Sequence, residues 1–358
     1  MAGMNSDHEF RDALTRLASG YALDQAELTR LISDAAAPDA AARREHLFGL
    51  ARETARARFG GRIYVRGLIE ISNICRRDCL YCGIRRSNTR AARYRLTLDE
   101  ILACCGQGHA LGFRTFVLQG GEDPWFTDDV LVGLISSIKS AWPDCALTLS
   151  IGERAGTSYR RFREAGADRF LLRHETADPD LYARLHPAEQ TWAERRRCLR
   201  ELKEAGFQVG AGFMVGLPWQ TAGHLAADLL YLRELRPHMV GIGPFVPHHD
   251  TPLAKFPAGS ADLTLIMVAL TRLMLPRSLL PATTALGTVA DDGRERAVLA
   301  GANVLMPNLS PPANRKKYML YDNKVSDGDE AAENVASLAR RMKAVGYQVV
   351  VDRGDFQP

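Results

Sequence analysis

The chain has 358 residues, 46% of them hydrophobic, and a formal net charge of +4. This length allows one large α/β barrel. The basic residues are spread along helical segments and are not grouped with aromatic residues, so the sequence does not indicate nucleic-acid binding. No apolar run approaches the roughly 20 residues of a membrane span, and the polar N-terminus predicts no signal peptide. The chain has seven cysteines, and this odd number is more typical of reduced thiols in a cytosol than of a disulfide framework. We therefore expect a cytoplasmic protein that binds neither nucleic acid nor membranes.

The first 60 residues are predicted to be helical. Apolar residues recur there at helical spacing, as at Leu28, Leu31 and Ile32, and Asp24 is placed as the N-cap of the segment AELTRLI. We interpret residues 1–60 as a helical cap that packs against the domain that follows.

From Ile63 onwards, strand-like and helical segments alternate. The predicted strands are Ile63–Ser72, Thr115–Gln119, Ala146–Ser150, Arg169–Arg173, Val209–Met214, Met239–Gly243, Leu280–Thr283 and Asn303–Met306. The predicted helices between them are Thr97–Leu111, Asp128–Ala141, Ser158–Ala165, Trp192–Ala205, Ala222–Leu235, Leu263–Leu275 and Gly293–Ala300. Such alternation predicts a parallel sheet with right-handed crossovers, and eight repeats predict a complete (βα)8 TIM-type barrel over residues 61–310.

Residues 311–358 are predicted to be a short C-terminal extension that closes the barrel. This part contains a polar insert (Asn323–Glu330), a helical pattern (Ala332–Ala344) and an apolar run (Tyr347–Val351). The apolar run is interpreted as an added strand or a plug.

Three cysteines follow the first predicted strand at the spacing C-x3-C-x2-C, namely Cys75, Cys79 and Cys82. Thiolates are soft ligands that suit iron–sulfur clusters, and a [4Fe–4S] cluster ordinarily takes four of them. Three thiolates leave one iron open, as in radical S-adenosylmethionine (SAM) enzymes, where that iron holds the amino and carboxylate groups of SAM. The aromatic Tyr81 before the last cysteine adds to the resemblance. We therefore interpret the three cysteines as ligands of a [4Fe–4S] cluster.

A structural zinc site is the alternative for these cysteines. Zinc sites usually show paired C-x2-C halves or a nearby fourth cysteine or histidine. Here the next cysteines, Cys104 and Cys105, lie inside a helical pattern. The spacing and its position after a strand therefore favour the cluster.

Polar residues at the ends of two further strands are candidates for binding SAM. Adjacent glycines before Glu122 let the backbone approach a ligand closely, so Gly121 and Glu122 are predicted to lie near its amino group, although a plain turn is the alternative. Glu175 can accept hydrogen bonds from an ammonium, and Arg173 or Arg195 can clamp a carboxylate. An internal salt bridge between Arg173 and Glu175 is the alternative there.

Together these residues resemble the HydE family, the radical SAM maturases of [FeFe]-hydrogenase. The resemblance extends from about Arg62 to Tyr321 and includes CRRDCLYCGIRRSN, VLQGGEDP, AGADRFLLRHETADP, GAGFMVGLPWQT and GANVLMPN. It implies that the three cysteines hold a [4Fe–4S] cluster, that SAM binds the open iron, and that Glu175 and Arg195 hold its polar groups. It also implies a substrate cavity lined by Thr148, Arg173, Met239, Thr283, Thr284, Met306, Tyr318 and Tyr321.

The same resemblance implies a function. Reductive cleavage of SAM would yield a 5′-deoxyadenosyl radical, with a low-potential electron donor supplying the electron. The radical would act on a cysteine-bound iron carbonyl cyanide substrate made by a companion maturase, during assembly of the diiron subcluster of the hydrogenase H-cluster. Some family members bind a second cluster through cysteines near the C-terminus. No cysteine follows Cys198 here, so we expect no second cluster.

Three other functions are the alternatives to this one. Sulfur insertion of the biotin synthase kind needs cysteines at strand ends, where this chain has Gln119, Thr148 and Met214. A radical SAM carbon-skeleton mutase of the methylornithine synthase type needs one cluster and a polar pocket and remains open, although the RHET motif favours the maturase. A non-enzymatic cluster carrier would need no SAM clamp, so Glu175 and Arg195 would be dispensable to it.

Overall fold

Strands and helices alternate along most of the chain, as predicted. The computed structural model describes residues 2–325 and 332–358. The strands are β1 (Arg62–Val65), β2 (Gly67–Ser72), β3 (Thr115–Gly120), β4 (Ala146–Ser150), β5 (Arg169–Leu171), β6 (Gln208–Val215), β7 (Met239–Pro244), β8 (Val304–Leu305) and β9 (Gln348–Val350). The helices are α1 (Ala2–Ala18), α2 (Gln25–Ala36), α3 (Ala41–Phe59), α4 (Leu98–Ala110), α5 (Asp128–Ala141), α6 (Gly156–Glu164), α7 (Pro179–Leu185), α8 (Trp192–Glu204), α9 (Ala222–Leu235), α10 (Ala261–Met274), α11 (Thr284–Val289), α12 (Gly293–Leu299), α13 (Pro312–Arg315) and α14 (Val335–Ala344).

A parallel sheet forms the centre of this α/β fold. Strands β2 to β7 pair in chain order, and β8, β1 and β9 form a second parallel sheet of three strands. Single parallel bridges join Leu68 to Asn308, Met239 to Leu279, and Pro281 to Val304. Because the strands are parallel, the loops after them all leave from one edge, where α/β proteins place their chemistry.

The first three helices pack on the outer helices of the fold. Helix α2 packs against α9, and α3 packs against α10. Asp24 caps α2 as predicted. Its side chain accepts a hydrogen bond from the Glu27 N–H, and the Glu27 carboxylate in turn accepts one from the Asp24 N–H. Among the described residues, no helix combines the length and the apolar character that a membrane crossing requires.

Two strand predictions were wrong. The predicted strand Ile63–Ser72 is divided at Arg66, because β1 pairs with β8 and β9 whereas β2 pairs with β3. Leu280–Thr283 forms no regular strand: the Leu280 N–H donates to the Asn303 side chain (2.8 Å), and Pro281 has no N–H to donate to a ladder. Three short helices, α7, α11 and α13, were not predicted.

The C-terminal part matches its prediction where it is described. The predicted helix begins as a 3-10 turn (Ala332–Asn334) and continues as α14, and the apolar run contains β9, an added strand that pairs with β1. Most of the predicted polar insert Asn323–Glu330 lies outside the described residues. The division into 1–60, 61–310 and 311–358 stays a prediction.

The last residues cover the end of the sheet opposite to the cysteine loop. The carbonyl of Arg353 accepts hydrogen bonds from Thr115 (2.7 Å) and Arg169 (2.7 Å), and the Asp355 carboxylate accepts from Arg169 (2.6 Å). Thr115 and Arg169 are the first residues of β3 and β5, and the Phe356 N–H donates to Gln208, the first residue of β6. The C-terminal residues therefore satisfy a buried arginine beneath the sheet.

Asp355 is expected to make stability depend on pH below about 4. Burial raises the pKa of its carboxyl, but Arg353 and Arg169 outweigh burial and lower the pKa to about 2. Because this lies below the unfolded value of about 3.9, Asp355 stabilises the fold above that value and the contribution is lost as pH falls through about 2. Since the carboxyl is partly exposed, Asp355→Asn should cost about 1–2 kcal/mol near neutral pH and almost nothing near that lower pH. Urea unfolding of both proteins across this range checks it; an equal loss at both ends would contradict it.

Candidate active site

The cysteine loop follows β2 and lies at the edge of the sheet where the strands end. Cys75, Cys79 and Cys82 border one cavity of about 300 Å³, which we call the central cavity. The Cys75 sulfur accepts from the backbone N–H groups of Arg77 (3.4 Å) and Glu122 (3.3 Å). The loop after β3, which carries Glu122, therefore helps to orient the first cysteine of the motif.

The three thiols sit in surroundings that disfavour the free thiolate. Burial raises the pKa of the Cys82 thiol to about 12, and the neighbouring Cys75 adds to the rise. Burial likewise raises the pKa of Cys75 and, more strongly, that of Cys79. A bound metal reverses this balance because its positive charge deprotonates coordinating thiols. Converging, partly buried thiols without a disulfide are therefore a suitable donor set for a metal centre.

Gly121 lets the loop after β3 pass directly over the cysteine loop. A Cβ atom at this position would stand 2.3 Å from the Ile74 carbonyl oxygen and 2.7 Å from the Cys75 Cβ. Neither neighbour can move without displacing the cysteine loop itself. This close approach accounts for the glycine and places the Gly121 backbone at the wall of the central cavity.

A chain of buried ion pairs surrounds this side of the cavity. Arg77 donates to Glu122 (2.7 Å) and to Glu153 (2.7 Å), and Arg195 donates to the other oxygen of Glu153 (2.6 Å). Arg195 also donates to the Arg173 carbonyl. Glu153 was not singled out from sequence, although it follows β4 as Glu122 follows β3. It joins the cysteine loop to Arg195 on α8.

Arg173 and Glu175 project polar atoms into the central cavity. Their side chains form an ion pair at 3.3 Å, as the alternative interpretation required, yet both residues also line the cavity. Arg173 Nε and Nη2 and Glu175 Oε2 are buried without a hydrogen bond in the part of the chain that the structure describes. Glu175 has a positive φ of 66° and is held there by hydrogen bonds to the Gly212 carbonyl and from the Met214 N–H. Such unmet capacity and backbone strain are typical of a ligand site.

Tyr81 is fixed in place by a histidine that was not predicted. Its hydroxyl lies 3.0 Å from His186 Nε2, and His186 Nδ1 lies 2.9 Å from the Tyr182 carbonyl. Burial, together with the charge of Arg195, lowers the pKa of His186 to about 3, so the ring is neutral. Its Nδ1–H therefore donates to the carbonyl and Nε2 accepts from Tyr81, which fixes the tyrosine ring against the cysteine loop.

The structure brings together only part of the predicted substrate set. Arg173, Thr283, Tyr318 and Tyr321 line the central cavity with the cysteines. Four predicted residues do not line the cavity. Thr148 lies in the middle of β4 and Met239 is the first residue of β7, while Thr284 is the first residue of α11 and Met306 follows β8. Four polar residues that do line it were not predicted as site residues: Arg77, Gln119, Ser150 and Gln190.

A buried lysine anchors the segment that carries the two tyrosines. Lys324 Nζ lies 2.5 Å from Glu70 Oε1 on β2 and donates to the Tyr318 carbonyl (3.1 Å), while Asn308 donates to the other Glu70 oxygen (2.9 Å). The Leu320 carbonyl accepts from the Gly83 N–H (2.8 Å), just after the last cysteine of the motif. The segment therefore borders the cavity next to the last cysteine of the motif.

Lys324→Met is expected to destabilise the fold strongly. The change leaves the Glu70 carboxylate buried without its cation, which typically costs about 3–5 kcal/mol. The double variant Glu70→Gln/Lys324→Met removes both charges and should recover most of the loss. Urea unfolding of the two variants measures the difference; equal losses would show that this ion pair does not anchor the segment.

The chain is similar to known proteins over nearly its whole length. The radical SAM superfamily model matches residues 69–232. The chain is 47% identical over 333 residues to the [FeFe] hydrogenase maturase subunit HydE of Thermotoga maritima, across 93% of this chain and 95% of that protein. The crystal structure of methylornithine synthase (PylB) superposes with a TM-score of 0.81 at 27% identity, over 94% of this chain and 97% of its own. The maturase HydG from Carboxydothermus hydrogenoformans, at 21% identity and a TM-score of 0.76 over 96% of this chain and 80% of its own, shares the fold.

Proposed function

Because this chain belongs to the HydE family of radical SAM enzymes, we propose that it cleaves SAM reductively and processes a cysteine-bound iron carbonyl cyanide substrate during assembly of the [FeFe]-hydrogenase H-cluster. Family membership brings a [4Fe–4S] cluster and SAM as cofactors and a place among the hydrogenase maturases. The observation that carries the proposal is one cavity that three partly buried cysteines share with Arg173 and Glu175, which form an ion pair with each other but have buried polar atoms that make no hydrogen bond among the described residues.

The residues of the cavity fit both cofactors. Cys75, Cys79 and Cys82 supply three thiolates, so a [4Fe–4S] cluster would keep one iron for a ligand that is not a protein side chain. Any larger residue at Gly121 would collide with the Ile74 carbonyl and the Cys75 Cβ and so displace the cysteine loop. Bound there together, the reduced cluster and SAM supply a 5′-deoxyadenosyl radical.

The chain's own residues would bind SAM and keep water out. Glu175 Oε2 is buried and, apart from its 3.3 Å ion pair with Arg173 Nη2, accepts no hydrogen bond from the described residues, so we assign it to the SAM ammonium or ribose. Arg195 is held by Glu153 and presents its charge near the same wall, where it favours a carboxylate. Tyr81 and the Gly121 backbone would form the surface beside the cysteines. Glu122 would contribute to this site indirectly, because its carboxylate binds Arg77.

Arg173, Thr283, Tyr318 and Tyr321 are proposed to contact the iron-containing substrate. Arg173 Nε makes no hydrogen bond among the described residues and can donate to a carboxylate or a cyanide nitrogen, while Arg173 Nη2 lies 3.3 Å from Glu175 Oε2. Burial raises the pKa of both tyrosines, so their hydroxyls stay protonated and can donate hydrogen bonds. Thr148, Met239, Thr284 and Met306 stay predictions from the family resemblance.

The proposal also covers the closure of the barrel, the number of clusters and the protein partners. We propose that the sheet closes into a complete (βα)8 barrel, supported by the bridges at Leu68, Met239 and Pro281 that join the edges of the two sheets. We propose a single cluster, since no cysteine follows Cys198. Companion maturases and a low-potential electron donor are the proposed protein partners. The cytoplasmic location stays a prediction.

The proposal is tested with anaerobically reconstituted protein, SAM, dithionite and the synthetic iron carbonyl cyanide cysteine complex. We expect formation of 5′-deoxyadenosine together with consumption of the iron complex, followed by liquid chromatography and infrared carbonyl bands. If the cluster-loaded protein forms no 5′-deoxyadenosine, the assignment as a radical SAM enzyme is wrong. In a parallel reaction in which a free amino acid replaces the iron complex, rearrangement of that amino acid, with no change of the iron complex in the first reaction, would favour the mutase alternative instead.

A further inference from the structure

The outer side of the cysteine loop carries exposed positive charge. Residues 76–95 contain seven arginines and one acid, Asp78. Asp78 is bound by Arg85 at 2.8 Å, so it does not oppose the other arginines. Three of these arginines reach solvent, and we call them the cluster-loop face: Arg76, Arg86 and Arg90.

The arginines of this face are exposed while two of their acidic partners lie beneath them. The side chains of Arg76 and Arg90 are 55% and 75% exposed, whereas their partners Glu122 and Asp250 are each 7% exposed. Arg86 is 60% exposed, and its partner Glu189, which is 56% exposed, lies 3.9 Å from it. At the Arg76 and Arg90 pairs, a protein that approaches from solvent therefore meets the guanidinium group before it meets the carboxylate.

A short hydrogen-bonded route joins this face to a cysteine sulfur. The Arg86 N–H donates to the Arg77 carbonyl (2.8 Å), and the Arg77 N–H donates to the Cys75 sulfur (3.4 Å). Two hydrogen bonds and one residue, Arg77, thus separate the backbone of the exposed residue Arg86 from the thiol. The inner side of the thiols faces the central cavity, which SAM and substrate would occupy.

We propose that the cluster-loop face docks an acidic protein carrying a low-potential one-electron centre, and that its electron enters through Arg86, Arg77 and Cys75. The proposal rests on the function proposed above, because it needs a cluster on Cys75. In the step, the carrier loses one electron and the oxidised cluster gains it, with no proton or bond exchanged. The partner is acidic because positive charge on the face accelerates encounter with negative surfaces.

The test uses reconstituted holoenzyme and an acidic flavodoxin reduced to its hydroquinone. Arg86→Glu/Arg90→Glu reverses two charges that touch neither the cysteines nor the central cavity. Arg30→Glu/Arg58→Glu makes the same change in net charge on α2 and α3, away from the loop. Stopped-flow absorbance of the flavodoxin semiquinone measures cluster reduction directly, and calorimetry with oxidised flavodoxin measures binding without turnover.

The Arg86/Arg90 variant should slow semiquinone formation at low ionic strength by at least about 10-fold and weaken binding in parallel, while the control stays within about twofold. The difference should shrink as salt is added. Cleavage of SAM driven by dithionite should be equal in all three proteins. An unchanged rate in the Arg86/Arg90 variant, or equal slowing in both variants, would overturn the docking site. If dithionite drives no cleavage in the unmodified protein, it is the proposed function that fails.

Discussion

Replacing Cys79 by alanine is expected to abolish reductive cleavage of SAM. The change leaves two thiolates for a cluster that needs three from this loop, and no other described cysteine lines the cavity. Loss of a residue that only supports a metal ligand typically costs about 10–100-fold, so loss of a ligand itself should cost at least about 1,000-fold in 5′-deoxyadenosine formation. Iron content and the electron paramagnetic resonance signal of the reduced protein should fall with it.

Cys104→Ala is the matched control for this prediction. Cys104 is a buried thiol on α4, away from the cavity, and its loss removes one sulfur atom from the core. The control should keep its cluster, its spectrum and its rate, with only a small loss of stability. Normal cleavage by the Cys79 variant would mean that the cluster is held elsewhere in the chain, and the site described above would then be wrong.

Glu153→Gln is expected to impair SAM binding with little effect on cluster content. The glutamate accepts hydrogen bonds from both Arg77 and Arg195, and the neutral amide offers one acceptor oxygen in place of two charged ones. Arg195 then loses the partner that orients it. By analogy with the cost of losing groups that orient ligand-binding residues, the KM for SAM should rise about 10–100-fold.

The change in KM separates positioning from a purely structural role. A structural defect would lower cluster content and the amount of folded protein, whereas a positioning defect leaves both intact and reduces the change that SAM causes in the spectrum of the reduced cluster. Glu194→Gln is the matched control, since Glu194 is also an acid near Arg195 but pairs with Arg197 on the surface of α8. An unaltered KM in the Glu153 variant would contradict the proposed role.

The patterns with local causes were predicted well. Helices α5 and α9 have the predicted bounds, and β4 does too, because apolar periodicity and N-cap residues act within a few positions. The spacing of Cys75, Cys79 and Cys82, together with the motifs around them, led to the correct family, which the 47% identity to HydE confirms. A loop motif of this kind is local, so it can be recognised without the fold.

The errors arose where the partner of a segment decides its structure. Leu280–Thr283 is apolar enough for a strand, but the side chain of Asn303 takes the Leu280 N–H. The division at Arg66 depends on which strands lie on either side of it. Neither partner can be identified from the segment itself, since β pairing is set by packing and register more than by intrinsic preference.

By itself, the sequence determined the cofactor chemistry, the alternation of strands and helices, and the family. Each of these depends on motifs and spacings that extend over only a few residues. Only the tertiary structure decided which charges meet: Glu153 with Arg195 across 42 positions, and Glu70 with Lys324 across 254. It also decided that Arg173, Thr283, Tyr318 and Tyr321 share a cavity with the cysteines while Thr148 and Met239 lie outside its lining. The physical reason is that a buried charge is stable only beside its partner, and the chain path, not the local pattern, brings that partner into place.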